Sequence, residues 1–505
     1  MTSLLEIRNI TKKFGKLTAN DNISFSQREG EVLAILGENG AGKTTLMNIL
    51  FGHYKADDGE IIFKGTKLPM GKPDNAIAVG IGMVHQHFTL ADNLTVLENI
   101  IVGKRSLLSP SLPQTSAREK LRNLSDKFGL PIEPDTLVTN LSVSEKQRLE
   151  ILKTLYRDCT LLILDEPTAA LTPQETDSLF SIIKQMVKKG LSVILISHKL
   201  NEILSVSDRI VVLRHGILVG EVDTKKADRK KLAEMIVGGT VDYPKRQTVK
   251  KGSEVIRFES ISCDPINESS KGLDEISISL FEGEILGIAG VTGNGQIPLA
   301  KMMAGHLKPK NGEMYFYGKK LKSFAPKQFM DLGVAYIPED RNIDGMIGDM
   351  SVWENSIMTE TDDRKVRSSL GWLNRDHCKN SSLLLCNTYD VRTQSLQQPA
   401  RLLSGGNVQK LLLGRWLNRS PKLLIACQPT RGLDEGAIAS IQKIILDVRK
   451  KGNAVLLITE DLDELLMLSD KIAVLFNGSL SQSFDATNLD RSKIGLMMAG
   501  ESFDG

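Results

Sequence analysis

The sequence predicts an α/β fold in two tandem copies of one domain, each a largely parallel sheet flanked by helices. Three observations carry that prediction. Short apolar, β-rich runs alternate with helical patterns along the chain, as in other α/β folds. A glycine-rich turn joins one such run to a helix near the start. The same order of short motifs then occurs a second time in the later half, the mark of an internal duplication.

The first element is the apolar run Glu31–Leu36, followed by Gly37-Glu-Asn-Gly-Ala-Gly-Lys43-Thr44-Thr45 and the helical stretch Leu46–Leu50. Strand, glycine-rich turn and helix is the context in which G-x-x-x-x-G-K-[ST] means phosphate binding. The glycines Gly37, Gly40 and Gly42 let the backbone curl until several N–H groups converge, with Asn39 and Ala41 part of the same binding loop, and the helix adds its positive end. Lys43 is placed for the β- and γ-phosphates and Thr44 for Mg²⁺, with Thr45 completing the cradle. The first half therefore predicts a nucleoside triphosphate site.

The next β runs of this half are Leu161–Leu164 and Val193–Ile196, and ligand chemistry belongs at the carboxyl ends of such strands. Asp165 and Glu166 follow the first of them. The aspartate suits the coordination sphere of Mg²⁺, and the glutamate is placed to polarise the water that attacks a γ-phosphate. His198 ends the second run, where it can hydrogen-bond the γ-phosphate or orient that water. The stretch from about Leu90 to Asn140 lacks β runs and predicts a helical insert.

Composition bounds the rest. A chain of 505 residues exceeds a single core, and 41% apolar with 25% charged residues excludes a disordered chain. The net charge of +3 is too small to make nucleic acid or an anionic membrane the main partner. Five cysteines with no C-x-x-C pair suit a reducing compartment. Neither a signal peptide nor a run long enough to span a bilayer is read from the sequence.

The second copy aligns by its motifs. Gly290-Val-Thr-Gly-Asn-Gly-Gln-Ile stands for the phosphate loop, Leu403-Ser-Gly-Gly-Asn for Leu141-Ser-Val-Ser-Glu, and Ala426-Cys-Gln-Pro-Thr for Leu164-Asp-Glu-Pro-Thr. The expected domains are 1–240 and 255–505, joined by a basic, solvated linker at 241–254.

With Gly82-Met-Val-His-Gln86-His and the Leu-Ser signature lying between the phosphate loop and the Asp-Glu pair, the chain resembles the nucleotide-binding domains of ATP-binding-cassette (ABC) proteins, twice over. That resemblance implies ATP and Mg²⁺ as cofactors. It also implies that Gln86 touches Mg²⁺ and water and relays to a membrane partner, and that Phe14 stacks on adenine. A second domain's signature would close on the nucleotide in a head-to-tail arrangement. His85 and His87 flank Gln86 at strand period, but a metal site there is not expected.

Comparison of the copies predicts unequal pockets. The second has Gln296 for the lysine, Ile297 for the hydroxyl, Cys427-Gln428 for the Asp-Glu pair and Glu460 for the histidine, and no glutamine from Ile337 to Glu354. A carboxylate at 460 repels a γ-phosphate, so this pocket is not expected to hydrolyse ATP. Yet its signature, Ser404-Gly405-Gly406, is intact, and its glycines let backbone N–H groups approach a phosphate closely. The eroded signature belongs to the copy with the intact pocket, and Asp434 in the second copy stands where the first has Thr172. Erosion sorted in this way implies one working site, built from the first copy's pocket and the second copy's signature.

Among ABC proteins the arrangement is similar to the ATPases of bacterial simple-sugar and nucleoside importers, on Gly293-Asn-Gly-Gln, Tyr336-Ile-Pro-Glu-Asp-Arg341 and Gln428-Pro-Thr-Arg-Gly-Leu-Asp434. Gly82–Phe88 and Leu141-Ser-Val favour the nucleoside branch. Ser144, Ile297 and Val408 depart from that branch's usual residues. The resemblance implies an ATPase at the cytoplasmic face of the membrane, bound to two permease subunits and served by an extracytoplasmic solute-binding protein. A ribose- or galactose-type importer is the alternative. A soluble tandem-cassette protein is the rival reading, although such proteins keep two intact sites and a long charged connector.

Overall fold

The computed structural model describes residues 3–38, 40–86, 88–102, 114–168, 171, 173–197, 199–239, 244, 246–266, 270–367, 372–489, 491–498 and 500. The chain divides into two compact units, Met1–Val241 and Asp242–Gly505.

In the first unit a six-stranded sheet runs Ile217–Asp223, Arg209–Arg214, Val32–Leu36, Ser192–Ile196, Leu161–Asp165, Ile81–Val84. All neighbours are parallel except the Ile217–Asp223 edge, a hairpin partner of Arg209–Arg214. The strands are near-continuous apolar runs because both faces are covered. Period-2 alternation divides them: Leu33, Ile35, Leu161, Ile163, Ile194 and Ile196 enter one core. Val32, Leu162, Leu164, Val193 and Leu195 enter the other.

The first of these cores is closed by the helix Lys43–Phe51 and by a four-stranded antiparallel sheet, Leu17–Arg28, Ser3–Phe14, Asp58–Phe63, Thr66–Lys67. That sheet is an addition to what the sequence predicts. Its inner face is Leu5, Ile7, Ile61 and Phe63, while Arg8 pairs outward with Glu6 and Glu60. The second core is covered by Val96–Ile101, Gln114–Phe128 and Val143–Leu155, the expected helical insert with the helix that follows it.

The second unit repeats this plan. Its sheet runs Val334–Ile337, Leu423–Cys427, Ala454–Ile458, Ile285–Ala289, Lys471–Phe476, Ser479–Leu480. Leu286, Ile288, Leu423, Ile425 and Leu456 face one core and Ile285, Leu424, Val455 and Leu457 the other. A second antiparallel sheet, led by Glu254–Cys263 and Leu273–Phe281, covers the first face. Residues 246–253 form no helix or strand and are bound to this unit, Arg449 Nη1 donating to Gln247 O and the Gly252 amide to Glu282 O. Among the described residues no helix is long and apolar enough to cross a membrane.

Candidate nucleotide site

The phosphate loop of the first unit leaves the buried strand Val32–Leu36 and enters the helix Lys43–Phe51 through Gly42, which sits at φ 93°. A Cβ there would lie 2.3 Å from Ala19 O and 2.6 Å from Asn20 Nδ2, so only glycine fits. Asn20, wholly buried, donates to Gly42 O at 3.1 Å, and the Gly216 amide donates to Ala41 O. The loop is thus fixed from behind by a residue that no motif contains.

Lys43 is buried, and its Nζ donates to Gly37 O at 2.6 Å and Glu38 O at 2.9 Å. Burial pulls its pKa down, while Glu166, Asp165 and Glu38 pull it up. Those opposing pulls bring together the lysine and both acids that the sequence singled out. Asp165 closes its strand, 3% exposed, hydrogen-bonded by the Thr44 side chain. Burial, then the neighbouring Glu166 charge, pushes its carboxyl up to about 6. A divalent cation relieves such crowding of carboxylates.

Glu166 takes a left-handed backbone, φ 48°, and its amide donates to Ile196 O, which ties the end of one strand to the next. Gln86, exposed after the strand Ile81–Val84, donates from Nε2 to Glu166 Oε2 at 3.0 Å. Asn39 and His198 lie outside the described residues, as do His87 and Thr172. Ser197 and Lys199, which are described, both bind Glu202. Glu202 Oε2 accepts from Thr168 Oγ1 at 2.6 Å and Ser197 Oγ at 3.1 Å, and its other oxygen pairs with Lys199 at 2.8 Å.

Phe14 is 44% exposed at the end of Ser3–Phe14, with Tyr54 edge-on at 5.5 Å between ring centroids. An exposed ring braced by another is a stacking platform for a base. Tyr54 escaped the sequence reading because it follows the phosphate-loop helix without any motif of its own.

The second unit keeps this backbone and changes its side chains. Gly295 stands at φ 114° before the helix Gln296–Met303, and Gln296 Nε2 donates to Val291 O at 2.7 Å, the bond Lys43 makes to Glu38. Gln428 holds φ 46°, and its amide donates to Ile458 O. The position of Asp165 is the buried thiol of Cys427, and Glu460, a carboxylate, is tied to Thr292. Glu339 occupies the place of Gln86, the second residue past its strand.

The signature segments differ as well. Ser142 caps the helix Val143–Leu155 in a reciprocal box: its hydroxyl accepts from the Glu145 amide, and Glu145 accepts from the Ser142 amide at 2.8 Å. A carboxylate thus occupies the anion position of that helix start. Ser404, Gly405 and Gly406 begin the helix Gly405–Leu417 with no acidic residue in its first turn. Ser404 is exposed and accepts from Asn407 Nδ2 at 2.8 Å.

Comparison with known proteins agrees with this geometry. The family model described as ABC transporter matches residues 20–169 and again 273–431. A guanosine import ATP-binding protein, NupO of Bacillus subtilis, is 41% identical over 99% of this chain and 98% of its own. A nucleoside import ATP-binding protein, NupA of Lactococcus lactis, is 40% identical over 99% and 98%. A glucose import ATP-binding protein, TsgD13 of Haloferax volcanii, is 41% identical over 98% and 96%.

Proposed function

The chain belongs to the ABC transporter family as a two-cassette ATPase, and from that premise we propose that it powers import of a small polar solute from one productive pocket, the first unit's. The observation that carries this reading is the contrast of catalytic groups. Lys43, Asp165 and Glu166 share one electrostatic neighbourhood, with Gln86 on Glu166. The second pocket offers Gln296, Cys427, Gln428 and Glu460 instead.

ATP sits with its adenine on Phe14 and its phosphates on the amides of Gly37–Thr45. Lys43 exchanges its two carbonyl partners for β- and γ-phosphate oxygens. Glu166, aimed by Gln86, accepts the proton of the attacking water, and His198 holds the γ-phosphate. Thr44 and Asp165, with Gln86, would supply the oxygen donors for Mg²⁺, which would neutralise charge on the phosphates. By the family resemblance a Leu-Ser-Gly-Gly signature completes such a pocket, and the intact signature of this chain is Ser404, Gly405 and Gly406. The first signature does not take this role, because Glu145 already fills its helix start with negative charge. Residues 1–240 are in this reading the competent domain and 255–505 the degenerate one.

The solute is a nucleoside, a reading supported by the two nucleoside-import relatives together with the Gly82–Phe88 and Leu141-Ser-Val stretches. A sugar is the second reading, favoured by the glucose-import relative of equal identity. Two permease subunits bind beside Gln86 and the helical insert at the cytoplasmic face of the membrane, and an extracytoplasmic binding protein delivers the solute. Steady-state ATP hydrolysis tests the assignment of the pocket. Glu166→Gln lowers turnover at least about 10²-fold, the scale of a lost general base, while Gln428→Glu leaves it unchanged. Activity that survives the first substitution, or that responds only to the second, overturns the reading.

A further inference from the structure

In the first unit the loop after strand Ile81–Val84 reports on the catalytic acid, through Gln86 on Glu166. The matching loop of the second unit, Pro338-Glu339-Asp340-Arg341, turns elsewhere. Glu339 pairs with Arg431 Nη1 at 2.5 Å. Arg341 Nη1 donates to Arg431 O at 2.8 Å. A Cβ placed on Gly405 would lie 2.8 Å from Arg341 Nη2, so this guanidinium rests directly on the first glycine of the signature. Asp340 accepts from the amides of Asn342 and Ile343, both at 2.9 Å, and fixes the backbone that presents Arg341.

The same loop is fastened to the signature helix from behind. Arg415, 6% exposed, donates from Nη2 to Gly345 O at 2.8 Å and from Nη1 to Asn355 O at 3.3 Å. Gly345 is packed so tightly that a Cβ would meet Leu412 of that helix at 2.7 Å. In the first unit Phe88 stands at the place of Arg341, and the helix start there is closed by Ser142 and Glu145 instead.

We infer that Arg341 is a positioning residue that braces the signature Ser404–Gly406 against the Arg431 backbone. The loop at the glutamine position contacts the signature segment here, where its counterpart contacts Glu166. Two glycines at a helix start are conformationally loose, and a forked, planar cation that touches one of them while bonding the neighbouring segment holds them in place. The inference rests on the reading that this signature completes the first unit's pocket.

The full-length chain tests it with three readings: kcat for ATP, affinity for ADP, and tryptophan fluorescence. Trp353, Trp372 and Trp416 are the chain's only tryptophans and all belong to the second unit, so their spectrum reports whether that unit stays folded. Arg341→Gln is expected to lower kcat at least tenfold, with ADP affinity within twofold of the parent and the spectrum unchanged. Ser404→Arg, which obstructs the signature, is expected to be at least as slow. If Ser404→Arg is slow but Arg341→Gln turns over normally, the brace is wrong and the pocket assignment stands. If Ser404→Arg turns over normally, the pocket assignment itself fails. Should Arg341→Gln disturb the tryptophan spectrum, Arg341→Lys decides. Folded with a several-fold lower kcat it supports the brace, and folded with parental kcat it overturns it.

Discussion

The two pockets of this chain share a backbone and differ in chemistry. Gly42 and Gly295 take left-handed conformations before equivalent helices, and Glu166 and Gln428 do the same at the ends of equivalent strands, φ 48° and 46°. Lys43 and Gln296 even donate to the same loop carbonyl, that of Glu38 in one unit and Val291 in the other. Sheet pairing and core packing set these backbone positions, and the pairing is common to both units. Catalysis needs a handful of charges on top of that frame. A glutamine can satisfy a buried carbonyl as well as a lysine can, but it brings no charge to a triphosphate.

The largest effect that would break this comparison is therefore at the shared carbonyl bond. Lys43→Ala should lower turnover by roughly 10²–10³, the scale of one lost charge-stabilising donor. Gln296→Ala should change it less than twofold. Equal losses would make the second pocket a working site. Steady-state hydrolysis at saturating ATP distinguishes these outcomes.

Next in size are the glycines of the frame itself. Gly42→Ala meets both an unfavourable φ and the Ala19 carbonyl, and should destabilise the first unit by about 3 kcal/mol or more. Gly40 stands at φ 84° with open space where a Cβ would go, so Gly40→Ala should cost only the left-handed conformation, about 1–2 kcal/mol. Denaturant unfolding that ranked the two in reverse order would deny that the loop is clamped from behind by Ala19 and Asn20.

Much of the first pocket was legible in the sequence, because the phosphate loop and the Asp-Glu pair carry their chemistry in adjacent residues. The antiparallel sheets were not. Their strands alternate, as Leu5 and Ile7 show, but left-handed Asn9 and Asn22 shift the register and break the period. Asn20 and Gly42, or Arg341 and Gly405, meet only through folding, and no local pattern announces either contact. Glu339 was passed over for a related reason. A search for a glutamine finds none, whereas the position is occupied by an acid with a different partner.

Smaller again is the response to pH in the nucleotide-free protein, where the two units are expected to differ. Asp165, ordinarily 3.8, is pushed up to about 6 by burial and then by Glu166. Within that window the folded state holds the proton that the unfolded chain releases, so stability is greatest at the acid end and falls as pH rises through about 6. Asp165→Asn should remove the fall. Cys427, its counterpart, is a thiol that burial keeps neutral, and it contributes no such slope. The second unit has a slope of its own from Glu464, raised from 4.5 to about 7 by burial, then by Asp461. Its counterpart Glu202 has Lys199 where Glu464 has that aspartate. Glu464→Gln should therefore flatten the tryptophan-detected melting curve between pH 5 and 7 while leaving the Asp165 transition in place. Melting temperatures across pH 4 to 8, read by tryptophan and by circular dichroism, check both.

The smallest effect falls where the pocket meets the base. Phe14 is exposed and touches Tyr54 edge-on, and stacking of this kind is worth about 0.5–1.5 kcal/mol. Phe14→Ala should raise the KM for ATP a few-fold with kcat unchanged, because the ring contributes the same binding before and during the reaction. Tyr54→Leu introduces the residue that the second unit carries at this position, Leu307. It should raise KM by a smaller factor, since it removes only the support behind the platform. The double substitution should be no worse than Phe14→Ala alone, for a brace has no value once the ring it holds is gone. If the two losses added in full, Tyr54 would be touching the base itself, and the first pocket would have two aromatic walls rather than one wall and its support.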